Sequence, residues 1–166
     1  LLCLAVARLH GAGALIMAGL SVDTPRLDLA IRLGATHTVD LQTQDLAEVL
    51  RGIGDGYGAD LVIDAAGVSA SFHTAMDAVR PMGQITKVGW GPAPLGVSLD
   101  PIVGKAVTVA GSFSHTYRTW ERVIGLLSSG QLDVSPLIGL ETTLDNWREG
   151  FDGMHEGRMT KAVLVP

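Results

Sequence analysis

Cysteine is nearly absent: Cys3 stands alone among 166 residues, so the chain can form no internal disulfide and no multi-cysteine metal site. Set among Leu1, Leu2 and Leu4, it reads as a small core residue, and a reducing, cytoplasmic setting is expected. Long apolar runs are missing too. No stretch approaches the roughly 18 residues that span a bilayer, and no basic segment precedes the short leucine-rich start, so neither a membrane helix nor a secretory leader is expected. Positive charge is scarce and scattered. Twelve Lys and Arg stand against 17 Asp and Glu, a net charge of −5, which speaks against a nucleic-acid or anionic-membrane partner. The five histidines are dispersed, with no His-x-x-x-His or Glu-x-x-His pair, and no serine sits in a G-x-S-x-G turn. Small molecules are left as the expected partners.

What is present is a regular alternation of apolar periods. Helices are expected over residues 1–10, 24–33, 46–52, 69–79, near Pro101, over 119–128 and over 144–155; strands over 14–18, 37–39, 61–64, 84–88, 107–110, 137–140 and 162–165. Thr24 and Pro25 supply a helix start and Gly34 a helix stop. Strand segments such as ALIMA (14–18) are continuously apolar, as in a parallel sheet covered by helices on both faces. The expected fold is therefore α/β, a doubly wound parallel sheet. Residues 1–9 look like the middle of a buried helix with no cap ahead, the pattern of a chain that continues upstream. The texture changes beyond Asp133, so two parts are expected, 1–133 and 134–166.

In such a sheet, ligands lie beyond the carboxyl ends of the strands, where loops lead into helix N-termini. Four loops there are built of small residues: residues 19–21, 65–68, 89–91 and 111–114. Turn geometry asks for small residues anyway, so one loop alone says little; four point to a ligand along one edge. No G-x-G-x-x-G stands between a strand and a helix; Gly11 and Gly13 form a connector, and Gly52, Gly54 and Gly56 a loop. Asp23 invites reading as a ribose-binding acid, but its place before Thr24 and Pro25 favours a capping role. The strand end itself carries Gly19, with Ser21 and Arg26 nearby to receive a 2′-phosphate, a lean to NADP over NAD. His115 is the histidine a ligand could reach, and reads as a solvated loop residue. Asp64, ending an apolar strand, is expected to orient its loop by hydrogen bonds rather than to act as a base.

Four segments together resemble the zinc-dependent medium-chain alcohol dehydrogenases, in their sorbitol and threonine dehydrogenase branch: RLDLAIRLGA (26–35), GADLVIDAAG (58–67), PMGQITKVG (81–89) and GRMTKAVLVP (157–166). The resemblance runs the whole chain. It implies a Rossmann-like domain lacking its first strand, followed by a tail belonging to a GroES-like catalytic domain. It also implies hydride transfer between NAD or NADP and a secondary alcohol or polyol, with zinc held by upstream residues and this chain inactive alone. A homodimer or homotetramer is implied, with a small alcohol or ketone as substrate. By position, the resemblance assigns the cofactor to Gly67, Val68, Val88, Gly89, Ser112, Phe113, Ser114 and Lys161, to which the loop and strand-end reading adds Gly19, Ser21, Arg26 and Ala66; where the family carries an acid after its second strand, this chain has Gly19. No catalytic residue and no metal ligand falls in this chain. The alternatives are a zinc-free quinone reductase-like relative and a truncated nucleotide-binding module without catalysis.

Overall fold

The structure, a computed structural model, describes residues 1–166. Its elements run α1 (Leu2–Leu9), β1 (Ile16–Gly19), α2 (Thr24–Arg32), β2 (His37–Asp40), α3 (Leu46–Arg51), β3 (Ala59–Asp64), α4 (Ser69–Ala78), β4 (Val79–Lys87), α5 (Asp100–Gly104), β5 (Thr108–Gly111), α6 (Tyr117–Ser128), β6 (Ile138–Thr143), α7 (Trp147–His155) and β7 (Lys161–Val165). Every strand pairing is parallel, and each pair is joined by a helical crossover, the βαβ unit of a Rossmann-like α/β fold. The chain packs as two compact units: Leu1–Thr43 with Tyr117–Pro166, and Gln44–Thr116. No helix is long and apolar enough to cross a membrane.

In the first unit β1 pairs with β2 from Ile16 opposite His37 to Gly19 opposite Asp40, and β6 pairs with β7. Helix α2 starts with Pro25 in its first turn and stops at Gly34, whose φ of +100° suits a residue without Cβ. Its Ala30 is fully buried and packs in a core with Leu4, Leu15 and Ala35. Cys3 is only half-buried and is not among the residues of this core.

The second unit is a three-stranded sheet in the order β3, β4, β5. Its core gathers Phe72, Ala75 and Met76 of α4 with Val79, Ile85 and Val107. No ladder extends beyond three groups of strands: β1 with β2, β3 with β4 and β5, and β6 with β7. Nor is each apolar strand covered on both faces: Leu61 is 49% exposed and Val109 39%. Strand β4 begins at Val79 instead of near residue 84, and its register slips between Ala59 and Leu61 of β3. Pro81 lacks an N–H, and Met82 takes a φ of +61°, so the ladder is interrupted there.

Lys105 anchors the far end of α4. Its ammonium donates to the carbonyls of Met76 (2.7 Å), Val79 (3.1 Å) and Asp77 (3.2 Å), filling acceptors that a helix C-terminus leaves open. Lys105→Met keeps the aliphatic stem but removes those bonds. It is expected to lower the stability of this unit by about 2 kcal/mol, read from urea denaturation.

Candidate functional site

Three loops leave the carboxyl ends of β3, β4 and β5 at the same end of one parallel sheet. The first two cross at backbone distance. A Cβ on Gly67 would lie 2.5 Å from the Trp90 nitrogen, and one on Gly89 would lie 2.5 Å from both the Ala65 carbonyl carbon and the Gly67 nitrogen. Only glycine fits either place, and Gly67 also needs it for a φ of +77°. Val88 and Gly89 both donate their N–H to the Asp64 carbonyl at 2.9 Å, and Ser112 donates to the Lys87 carbonyl at 3.0 Å. Trp90 meets Phe113 edge to face at 6.0 Å, so aromatic contact links the second loop to the third.

Beneath the crossing lies a buried ion pair. The Asp64 side chain is 1% exposed and accepts from Lys87 Nζ at 3.0 Å, with Lys87 22% exposed. The carboxylate also accepts from Ser71 Oγ (2.9 Å) and the N–H groups of Ala66 (3.2 Å) and Gly67 (3.3 Å). Lys87 Nζ donates on to the Gly89 carbonyl at 2.7 Å and sits 5.7 Å from the Phe72 ring centre. One network therefore holds both loops. Burial pushes the Asp64 carboxyl upward more than any other single influence, but Lys87, Ser71, Gly67 and Ala66 together outweigh it and leave the group below its ordinary 3.8. Asp64 orients its loop as expected. Lys87 was missed, although a lysine inside the apolar QITKVG run demands a buried partner and Asp64 ends the neighbouring strand.

Around this network Val68 (55% exposed), Val88 (38%) and Phe113 (83%) present apolar side chains, with Ala66, Ser112 and Ser114 also exposed. No side chain caps α4, whose first N–H groups point to the same end of the sheet. Such a ledge of small and apolar residues beside open N–H groups suits a flat, partly anionic ligand. His115 is exposed and lies 3.3 Å from the Ser114 hydroxyl.

The first unit holds the other predicted residues. Gly19 ends β1, Ser21 lies in the 3-10 turn that follows, and Arg26 is in α2. Lys161 opens β7, exposed and paired in register with Ile138. Ser21 donates its hydroxyl to Asp40 Oδ2 at 2.5 Å, and its N–H to Gln42 Oε1 at 3.0 Å. That hydroxyl, with the Gln42 N–H, holds the Asp40 carboxyl below 3.8. Asp23 departs from expectation: it occupies the residue before α2 but makes no capping bond to that helix. Its Oδ2 turns back to accept the Leu20 N–H at 3.3 Å, while Oδ1 pairs with Arg26 Nη1 at 2.7 Å. A cavity of about 180 Å³ in this unit, lined in part by Arg8, Arg32 and Pro136, contains none of the predicted residues.

No group of three or more His, Cys, Asp or Glu side chains comes together to hold a metal ion. The residues of this chain therefore do not fit a zinc site.

The sequence model of the zinc-binding dehydrogenase family matches residues 1–129. The chain belongs to that family. It is 32% identical over 167 residues to a sorbitol dehydrogenase of Halalkalibacterium halodurans, covering 100% of this chain and 48% of that protein. It is 34% identical over 150 residues to a D-arabitol-phosphate dehydrogenase of Enterococcus avium, covering 90% and 43%. Among solved structures, an alcohol dehydrogenase from Thermus sp. ATN1 superposes with a TM-score of 0.90 at 25% identity, over 99% of this chain and 47% of that one. The L-idonate 5-dehydrogenase of Escherichia coli shares the fold at a TM-score of 0.88 and 23% identity, covering 99% and 46%. The chain spans about half the length of the curated relatives it matches.

Proposed function

We propose that this chain is the nicotinamide dinucleotide-binding part of a zinc-dependent oxidoreductase acting on a secondary alcohol or polyol. The observation that carries this reading is the loop crossing at Gly67 and Gly89, locked by Asp64 and Lys87 at the carboxyl end of a parallel sheet. Residues 1–133 would form the dinucleotide-binding part, and residues 134–166 a segment of the catalytic domain.

When bound, the nicotinamide supplies the hydride acceptor or donor. The chain's own contribution is placement. Gly67 and Val68 would line the cofactor, Val88 and Gly89 would face the nicotinamide ring, and the backbone of Ser112, Phe113 and Ser114 would hold its carboxamide. Lys161 would stand near the pyrophosphate. Val68, Val88 and Phe113 would exclude water from the ring by their apolar surface, and the Asp64 and Lys87 pair, by holding the loops, would lower the ordering needed on binding. No residue here holds zinc, so the chain by itself is not expected to catalyse; the metal's ligands would come from the catalytic domain. The protein would be cytoplasmic, and a homodimer or homotetramer, with β5 offering a free edge beside β4.

The test is polyol-dependent reduction of nicotinamide dinucleotide by the purified protein, together with its metal content. Turnover with about one zinc per subunit is expected. Turnover on a quinone without zinc would place it with zinc-free reductases, and nucleotide binding with no turnover on either would make it a binding module.

A further inference from the structure

Where a parallel sheet binds a dinucleotide, an acidic side chain near the end of the next strand recognises the adenosine ribose hydroxyls, and its charge repels a 2′-phosphate. Strand β1 ends in Gly19, which has no side chain to offer. The space that a side chain would fill is taken by Asp23. A Cβ built on Gly19 would lie 3.3 Å from the Asp23 Cβ and 3.6 Å from Asp23 Oδ2. The carboxylate is therefore delivered to the strand end from four residues downstream, across the 3-10 turn Ser21–Asp23. The Leu20 N–H fixes one of its oxygens and Arg26 the other. The side chain is 26% exposed, so a ligand can reach it.

The two groups that would welcome a 2′-phosphate are both engaged. Arg26 is paired with Asp23 at 2.7 Å, and the Ser21 hydroxyl donates to a second carboxylate, Asp40. We infer that Asp23 is the specificity-determining residue of the nucleotide site, accepting from the adenosine ribose and restraining Arg26, so that the protein takes NAD in preference to NADP. This rests on the dinucleotide-binding reading above, and it reverses the lean to NADP that Gly19, Ser21 and Arg26 suggest by type alone.

The experiment is a fluorescence titration of the full-length protein with NADH and with NADPH, for the wild type, Asp23→Asn, Arg26→Ala and the double variant, each checked by its melting temperature. Asp23→Ser runs in parallel, so that the outcome is read from whichever variant keeps the wild-type melt. The wild type is expected to bind NADH about ten-fold or more tighter than NADPH, the worth of one hydrogen bond to a charged group. Asp23→Asn is expected to cut that ratio by about ten-fold, partly through a gain in NADPH affinity as Arg26 is released. Adding Arg26→Ala should remove that gain, whereas Arg26→Ala alone should leave NADH preferred. A merely structural aspartate would weaken both nucleotides alike. Preference for NADPH in the wild type, or an unchanged ratio in the folded Asp23 variant, overturns the inference and leaves dinucleotide binding intact. Binding of neither nucleotide overturns both.

Discussion

Gly89→Ala is expected to cost about 3 kcal/mol or more and to abolish nucleotide binding, although it adds a single methyl group. The added carbon would lie 2.5 Å from the Gly67 nitrogen and 2.6 Å from the Ala65 carbonyl oxygen, all of it backbone that cannot rotate away. Relief requires the loops after β3 and β4 to separate. Separation in turn lengthens the 2.9 Å bonds from Val88 and Gly89 to the Asp64 carbonyl and the 2.7 Å bond from Lys87 to the Gly89 carbonyl. Gly111→Ala is the control. It ends the neighbouring strand of the same sheet, but a Cβ there meets nothing within 4 Å, so its effect should stay within about 0.5 kcal/mol. Urea denaturation gives both values on one scale, and equal effects at the two positions would refute the packing argument.

The second large effect is expected from splitting the Asp64 and Lys87 pair. Lys87→Met leaves a carboxylate 1% exposed with only neutral donors, and Asp64→Ala leaves the ammonium with the Gly89 carbonyl alone and orphans the N–H groups of Ala66 and Gly67. Each single variant should lose about 2–4 kcal/mol. The double variant Asp64→Ala with Lys87→Met should lose less than the sum, because no buried charge is stranded. Strict additivity would mean that the two residues act separately. The pair also sets a pH dependence. The Asp64 carboxyl is lowered from 3.8 in the folded chain, so its contribution is present above that value and is lost as pH falls through the lowered one. Acid titration of stability should therefore steepen below about pH 4 in the wild type and flatten in Asp64→Asn.

Much of this was legible in the residues, for physical reasons. Pro25 and Gly34 frame α2 because each permits one backbone geometry that helices need at their ends, and the helix runs between them. Asp64 could be read because a carboxylate ending an apolar strand must find donors, and its nearest are in its own loop. Features that depend on which segments meet in space were harder. The loop crossing needs Gly67 and Gly89, 22 positions apart, to touch, and nothing local to either marks the partner. Lys87 carried a signal, a charge inside an apolar run, that only the parallel pairing of β3 with β4 resolves. Asp23 misled because its position fits a cap. Its carboxylate instead turns toward Leu20 and Arg26, a choice of rotamer that sequence spacing does not encode.

The most direct test of the central claim is amide hydrogen exchange on the full-length protein with and without saturating NADH. Binding at the proposed site should slow exchange at residues 66–68, 88–89 and 112–114, with further protection near residues 19–23. No change on adding NADH, or protection confined to the cavity beside Arg8, Arg32 and Pro136, would contradict it.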